Sequence, residues 1–432
     1  MADDSTGGSP AAAPPPVAAP SPVRGAVPVL MFAQGVGVAG TQVTALALPA
    51  LAILLLDTGP LAASLLFALE YGAQGLTGPF AGVLVDRVVS RRRLLVAVDV
   101  VQLLLIATVP LAYAVGALTL VHLCAVAAVS GALGGLSAIA VPTVVADLAP
   151  EDGLVAVNAK LAGARSAGQI AGPGLAAALV QWVGAAPAML ADAVGYGLSA
   201  LALGLLRLRP RLPRGGESER SAARPGVVES LREGVDVLRE RPLLARLAVA
   251  AAALNLGGAG LAGLFAYFAY QVLGLGPGEL GLTQAVYSIA AVTAVLTARR
   301  VIRRVGLTRV IPLFGPLAAA ALFLIPLASL GAALPVLIVY QLVFGFCATV
   351  WGVSWLTLQQ QLSPPRQLGR VLGLSRSIGQ LVMPVGALLG GALAGAVGTT
   401  AALAVFAAIA LAGTLAVVTA RPGPAVTVGS GA

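Results

Sequence analysis

Charge is what this chain of 432 residues has least of. Only 10% of its residues are Asp, Glu, Lys or Arg, against about 25% in a soluble domain, so a fold that wets its whole surface is excluded. Lysine occurs once, as Lys160 between Asn158-Ala159 and Leu161. A phosphate-cradling loop needs a Gly-rich turn followed by Lys and Ser or Thr, so this chain does not itself hydrolyse a nucleotide. Two cysteines, Cys124 and Cys347, are too few for a disulfide framework. Neither they nor the single histidine, His122, show a metal-ligand spacing, so no metal or cofactor is expected. The net charge of +9 lacks an interleaved aromatic face, so nucleic acid is not an expected partner.

Apolar residues are abundant, at 58%, and the mean hydropathy is +0.95. The 53 Gly and 29 Pro follow no collagen period. These properties describe a polytopic membrane protein. The apolar runs are continuous and do not alternate, which selects helices over a barrel. A spanning helix needs roughly 20 apolar residues, and twelve candidates can be read. The first six are Pro28 to Leu55, Leu61 to Val85, Leu94 to Val115, Leu118 to Val145, Leu154 to Val180 and Ala185 to Leu206. The second six are Leu243 to Leu273, Leu280 to Ala298, Val310 to Leu330, Leu334 to Gln361, Leu368 to Ala396 and Thr399 to Ala420.

All 26 basic residues fall on one side of this arrangement or in the tails, and the loops of the other side hold none. Positive charge is retained on the cytoplasmic side, so both termini are expected in the cytoplasm and the protein in the cell membrane. Residues 1–26 and 421–432 are expected to be cytoplasmic tails, the first disordered and without a signal-peptide pattern. Residues 27–206 and 243–420 form two six-helix halves. The linker, 207–242, places Val228, Leu231, Val235 and Leu238 on one side of an expected amphipathic helix lying on the inner membrane face.

The halves repeat. Arg165-Ser166-Ala167-Gly168-Gln169 in span five recurs 211 residues later as Arg376-Ser377-Ile378-Gly379-Gln380 in span eleven, and Pro173 meets Pro384 at the same offset. A looser echo sets Asp86 to Arg91 against Arg299 to Arg304. Two pseudo-symmetric halves of six spans are the layout of transporters that rock about a central site.

Four segments carry a family resemblance. They are Gly82-Val83-Leu84-Val85-Asp86-Arg87 followed by Arg91-Arg92-Arg93; Gly168-Gln169-Ile170-Ala171-Gly172-Pro173; the linker from Glu233 to Leu244; and Leu368-Gly369-Arg370-Val371-Leu372-Gly373-Leu374. The chain resembles the major facilitator superfamily, and within it the bacterial exporter branch that includes the enterobactin exporter and macrolide-efflux proteins. The resemblance implies an all-α fold of twelve transmembrane helices. It implies a monomer that exports a drug, siderophore or secondary metabolite across the lipid bilayer in exchange for protons. It makes Gly82, Asp86, Arg87 and Arg91 a conformational latch, with span eleven as the neighbour that Asp86 faces. The sequence also departs from the pattern. Val89-Ser90 stand where the superfamily usually has Gly-Arg, Ala176-Ala177 replace a pair of glycines, and Thr41 occupies a position where related exporters often carry an acid.

Independently of any family, Gly168, Gly172 and Pro173 give span five a smooth, kinked face suited to an interface between halves. A charge at a helix centre costs roughly 2.5 to 3.5 kcal/mol and is normally turned inward. Glu70, Asp192 and Asp99 therefore stand out as proton carriers, Glu70 first, because removal from water favours the neutral form of an acid. The competing reading is a carboxylate held permanently by polar neighbours, and Asp99 could simply pair with Arg165. Arg165 and Arg376 either neutralise acids such as Asp99 and Asp147 or bind an anionic substrate. Gln34, Gln169 and Gln380 belong to a set of polar residues available to line a largely apolar cavity. An integral-membrane enzyme would want clustered catalytic groups, and none is present. A transporter-like receptor or an importer would use the same helices.

Overall fold

The computed structural model describes residues 23–88, 90–148, 154–205, 242–362 and 368–418. Its helices are α1 (Val23–Ala50), α2 (Pro60–Arg87), α3 (Arg91–Ala114), α4 (Leu120–Leu148), α5 (Leu154–Val183) and α6 (Ala185–Leu205), then α7 (Pro242–Tyr267), α8 (Pro277–Val305), α9 (Leu307–Ala321), α10 (Ala333–Leu362), α11 (Leu368–Val397) and α12 (Thr399–Val418). These are the expected twelve rods in two sets of six. The linker 206–241, with its expected amphipathic helix, lies outside the described residues, as do both tails.

Among the described residues, ten rods are long and apolar enough to cross a membrane. The two that fall short are α2, which carries Glu70 and Gln74, and α5, which carries Asn158, Lys160, Arg165 and Gln169. Both pack against the opposite half, α2 on α11 and α5 on α8, so part of their surface faces protein and not acyl chains.

The rods alternate in direction and define two rims. Arg91, Arg92, Arg93, Arg299, Arg300, Arg303, Arg304 and Arg309 mark a basic rim. At the opposite, neutral rim the connections are tight. Ser90 caps α3 at the basic rim, its Oγ accepting from Arg93 N at 3.3 Å. At the neutral rim Glu279 accepts from Gly276 N at 2.8 Å, a carboxylate placed at the positive end of α8.

The first rod of each half ends in a π turn at the neutral rim, Leu51–Leu55 after α1 and Phe268–Val272 after α7. Their hydrogen bonds match position for position. Leu56 N donates to Leu51 O and Thr58 N to Ala52 O, while Leu273 N donates to Phe268 O and Leu275 N to Ala269 O. Gly59-Pro60 and Gly276-Pro277 then start the next rod in both halves.

Span nine differs from the expected unbroken run. Helix α9 stops at Ala321 and is followed by a short turn, Leu324–Leu327, and a 310 turn, Ala328–Leu330. Pro326 lies in this segment, and a proline has no N–H to continue a regular helix.

One buried apolar cluster runs through the neutral-rim layer of both halves, joining Val43, Leu51, Leu66, Ile106 and Met189 to Leu261, Phe268 and Leu280. Toward the basic rim the first half has a cluster of its own, with Leu30, Val85, Leu95, Val144 and Leu161. Ala294, Val310 and Val350 form another in the second half. The first cluster also reaches Leu247 and Leu358 toward the basic rim of the second half, so among the described residues it is the first half's basic-rim cluster that stands apart.

Glycines mark where the halves meet. A Cβ built on Gly391 of α11 would lie 2.8 Å from Ser64 Cβ of α2, and one on Gly263 of α7 would lie 3.2 Å from Ser64 Oγ. A Cβ on Gly278 of α8 would lie 3.0 Å from Gln181 Oε1 of α5. Deeper along α2, Gly72 abuts Pro384 and Gly75 abuts Gln380. All these approaches fall between mid-depth and the neutral rim.

Candidate functional site

The most deeply placed acid is Asp192, 1% exposed on α6. It stands seven residues in from the start of α6, about 10 Å from the neutral rim by the helical rise. Thr44 Oγ1 of α1 donates to its Oδ2, whereas its Oδ1 is buried without a hydrogen-bond partner. That orphan oxygen lies against Gly40, where any side chain would collide with it. Gly40 and Thr44 are four apart on α1 and so share a face. On α6, Tyr196 follows Asp192 at the same spacing, and its hydroxyl is 3.4 Å from Thr41 Oγ1. The result is a polar seam between α1 and α6 in otherwise apolar packing.

Glu70 is half-buried on α2, about 15 Å from the neutral rim. Its backbone is the floor on which Gly131 of α4 packs, with no room for a Cβ there. Among the described residues its carboxylate has neither a hydrogen-bond partner nor an ion pair. It lies within electrostatic range of Asp192 and Tyr196, so the two acids share one field. The neighbouring Tyr71 stacks on Phe67 with ring centroids 4.3 Å apart and lies within electrostatic range of Tyr287 on α8, across the boundary between halves. Gln341 Nε2 donates to Gln284 Oε1 at 3.1 Å, and Tyr340 stacks on Phe344 at 5.5 Å. Among the described residues Tyr71 is thus the link from the acid-bearing α2 to the aromatic rings of the second half.

The remaining sequence-predicted residues separate. Asp99 is buried between α3 and α6, and Ser199 Oγ donates to its Oδ2 at 2.6 Å; it ties these two helices together, within electrostatic range of Tyr196. The considered pairing of Asp99 with Arg165 is not formed. Arg165 Nε donates instead to Gln34 Oε1 of α1 at 2.7 Å, because Arg165 points across the α1–α5 contact and Asp99 across the α3–α6 contact. Gly168 and Gly172 are buried against α1, where Cβ atoms would come within 2.6 Å of Gly35 O and 2.8 Å of Gln42 Cγ. Their smooth face therefore serves packing within the first half. The contact with the other half lies further along α5, at Pro173 and Ala177, against Gly281 of α8. Gln169 is exposed and Gln380 half-buried beside Gly75. Arg91 opens α3. The side chains of Gly82, Asp86, Arg87, Asp147 and Arg376 lie outside the described residues, and so does the latch they were expected to form.

Thr44, Gly40 and Tyr196 were not singled out from the sequence. The available signal was their four-residue spacing, Gly40 to Thr44 and Asp192 to Tyr196, which puts a small or hydroxyl residue one turn from a buried acid or its cradle.

The family model described as Major Facilitator Superfamily matches residues 30–386, with a second match over 247–431. A curated relative, the uncharacterized MFS-type transporter y4rN of Sinorhizobium fredii, is 28% identical over 334 residues, covering 77% of this chain and 78% of that protein. Among solved structures, a bacterial homologue of the human lysosomal transporter Spinster, inward-facing and unoccupied, aligns with a TM-score of 0.66 at 16% identity. It covers 94% of this chain and all of the other, 100%. The nucleoside transporter NupG gives 0.70 at 12% identity over 91% and 98% of the two chains. A D-xylose–proton symporter gives 0.66 at 15% identity over 92% and 96%. At these identities the likeness is one of fold.

Proposed function

Because this chain belongs to the major facilitator superfamily, we propose that it is a proton-coupled exporter of an amphiphilic small molecule, working by alternating access. The reading rests on Asp192: an acid 1% exposed, with one carboxylate oxygen held by Thr44 and the other left without a partner. Such a group is costly as an anion and inexpensive as an acid, so its neighbourhood rewards proton uptake and, when the seam opens to water, release. Glu70 shares its field, so discharging one acid alters the other. In an arrangement open at the basic rim, cargo enters there, on the side that the Arg distribution makes the cytoplasmic face of the cell membrane. Protons arriving from outside, with the other arrangement open, would neutralise the acids and favour return.

The test is transport into inverted vesicles under an imposed pH gradient, screened over drugs, siderophores and secondary metabolites. Asp192→Asn and Glu70→Gln are expected to lose at least about tenfold of the gradient-driven rate while folding normally. Uptake that both variants sustain at the unaltered rate overturns the assignment of coupling to these acids. Accumulation in right-side-out vesicles instead of inverted ones makes the protein an importer.

A further inference from the structure

Arg165 is a cation inside the membrane-crossing length of α5, about 16 Å from the helix start at the basic rim. Such a charge is tolerated where it is paired or faces an aqueous cavity. Among the described residues Gln34 is its hydrogen-bond partner, and that partner is neutral. Arg165 lines a cavity of about 130 Å³ between α1, α4 and α5, toward the basic rim of the first half. Among the described residues that line it there is no Asp or Glu. The wall combines Gln34, Asn158 and Arg165 with apolar Val141, Val145 and Leu161.

The hydrogen-bonding character of this wall is lopsided. Arginine has donors only, and its Nε is occupied by Gln34, leaving the two terminal nitrogens as a fork. Gln34, with its carbonyl engaged, has its NH2 to offer, and Asn158 brings another amide. A fork of charged donors matches the paired oxygens of a carboxylate or phosphate. The apolar residues beside it suit a hydrocarbon or aromatic body.

We propose that this cavity is an entry site for the anionic headgroup, carboxylate or phosphate, of an amphiphile, with Arg165 as the binding residue and Gln34 orienting it. The headgroup can belong to transported cargo or to a bilayer lipid. The proposal rests on the transport reading for the fate of the molecule but not for its binding.

Binding is measured without any gradient, by the fluorescence of dansyl-labelled undecanoate added to the full chain in neutral detergent, with the methyl ester of the probe as the uncharged control. Arg165→Gln is expected to weaken carboxylate binding roughly tenfold or more, the scale of a charge-assisted hydrogen bond. Arg165→Lys should retain an intermediate affinity, and ester binding should be equal in all three proteins. Thermal unfolding in the same detergent verifies folding, and the Lys variant carries the test if the Gln variant is unstable. Equal carboxylate affinity in wild type and either folded variant overturns the proposal, as does tighter binding of the ester than of the acid. In phosphatidylcholine vesicles, translocation of the probe assigns the site to cargo. Displacement of the probe by phosphatidylglycerol without translocation assigns it to a lipid headgroup. Both results uphold an anion site, and neither depends on proton coupling.

Discussion

Asp192 shows how one missing side chain can determine a site. Its Oδ1 occupies the space that a Cβ on Gly40 would fill, and Thr44 anchors the other oxygen. Thr44→Val removes the donor and keeps the shape, so the stability lost is that of a hydrogen bond to a charged group, about 1.5 to 3 kcal/mol when the acid is ionised. A lower unfolding temperature in detergent is therefore expected for Thr44→Val, and one unchanged from wild type would show that this hydrogen bond does not hold α1 to α6. Glu70 and Asp192 were legible in the sequence because a charge in an apolar run is conspicuous. Gly40 and Thr44 were not, since small and hydroxyl residues recur along α1 and the sequence does not say which of them face the acid.

At the level of helices, α5 divides its labour along its length. Gly168 and Gly172 let α1 approach within contact of backbone, whereas Gly174 has open space around its missing Cβ. Gly168→Ala is expected to lower stability by about 1 to 3 kcal/mol through overpacking, read as a lower unfolding temperature in detergent. Gly174→Ala should leave it unchanged or slightly higher, because alanine favours a helix over glycine by up to about 1 kcal/mol. Equal effects at both sites would contradict the packing described. The twelve rods were readable from run length alone, and the duplicated Arg-Ser-x-Gly-Gln segment revealed the repeat. The glycine face was visible too, but its partner was not: small residues announce a close approach without naming the helix that makes it. The interruption after α9 was not drawn from Pro326, because Leu322 to Leu330 otherwise continues the apolar run, broken only at Ser329.

For the whole molecule, the buried core that joins the halves at the neutral rim is what the proposed rocking cycle has to part. If transport requires that parting, fastening this rim should arrest it. Ser64→Cys with Gly391→Cys puts two thiols at the α2–α11 contact, where a slight separation from the 2.8 Å Cβ approach reaches disulfide geometry. Oxidation is expected to abolish transport and reduction to restore it, with each single variant insensitive and the native Cys124 and Cys347 as background. An oxidised double variant that still transports would show that the halves do not part at this rim.

The π turns after α1 and α7 bear on descent. Leu51–Leu55 and Phe268–Val272 share few residues, yet they repeat each other's hydrogen bonds, one step of five and one of six. Kinship between the halves is here inscribed in the path of the chain, while the letters have drifted. Between these two tips the side chains differ and the bend does not, so a search for further ancestral traces should superimpose backbones before it aligns alphabets.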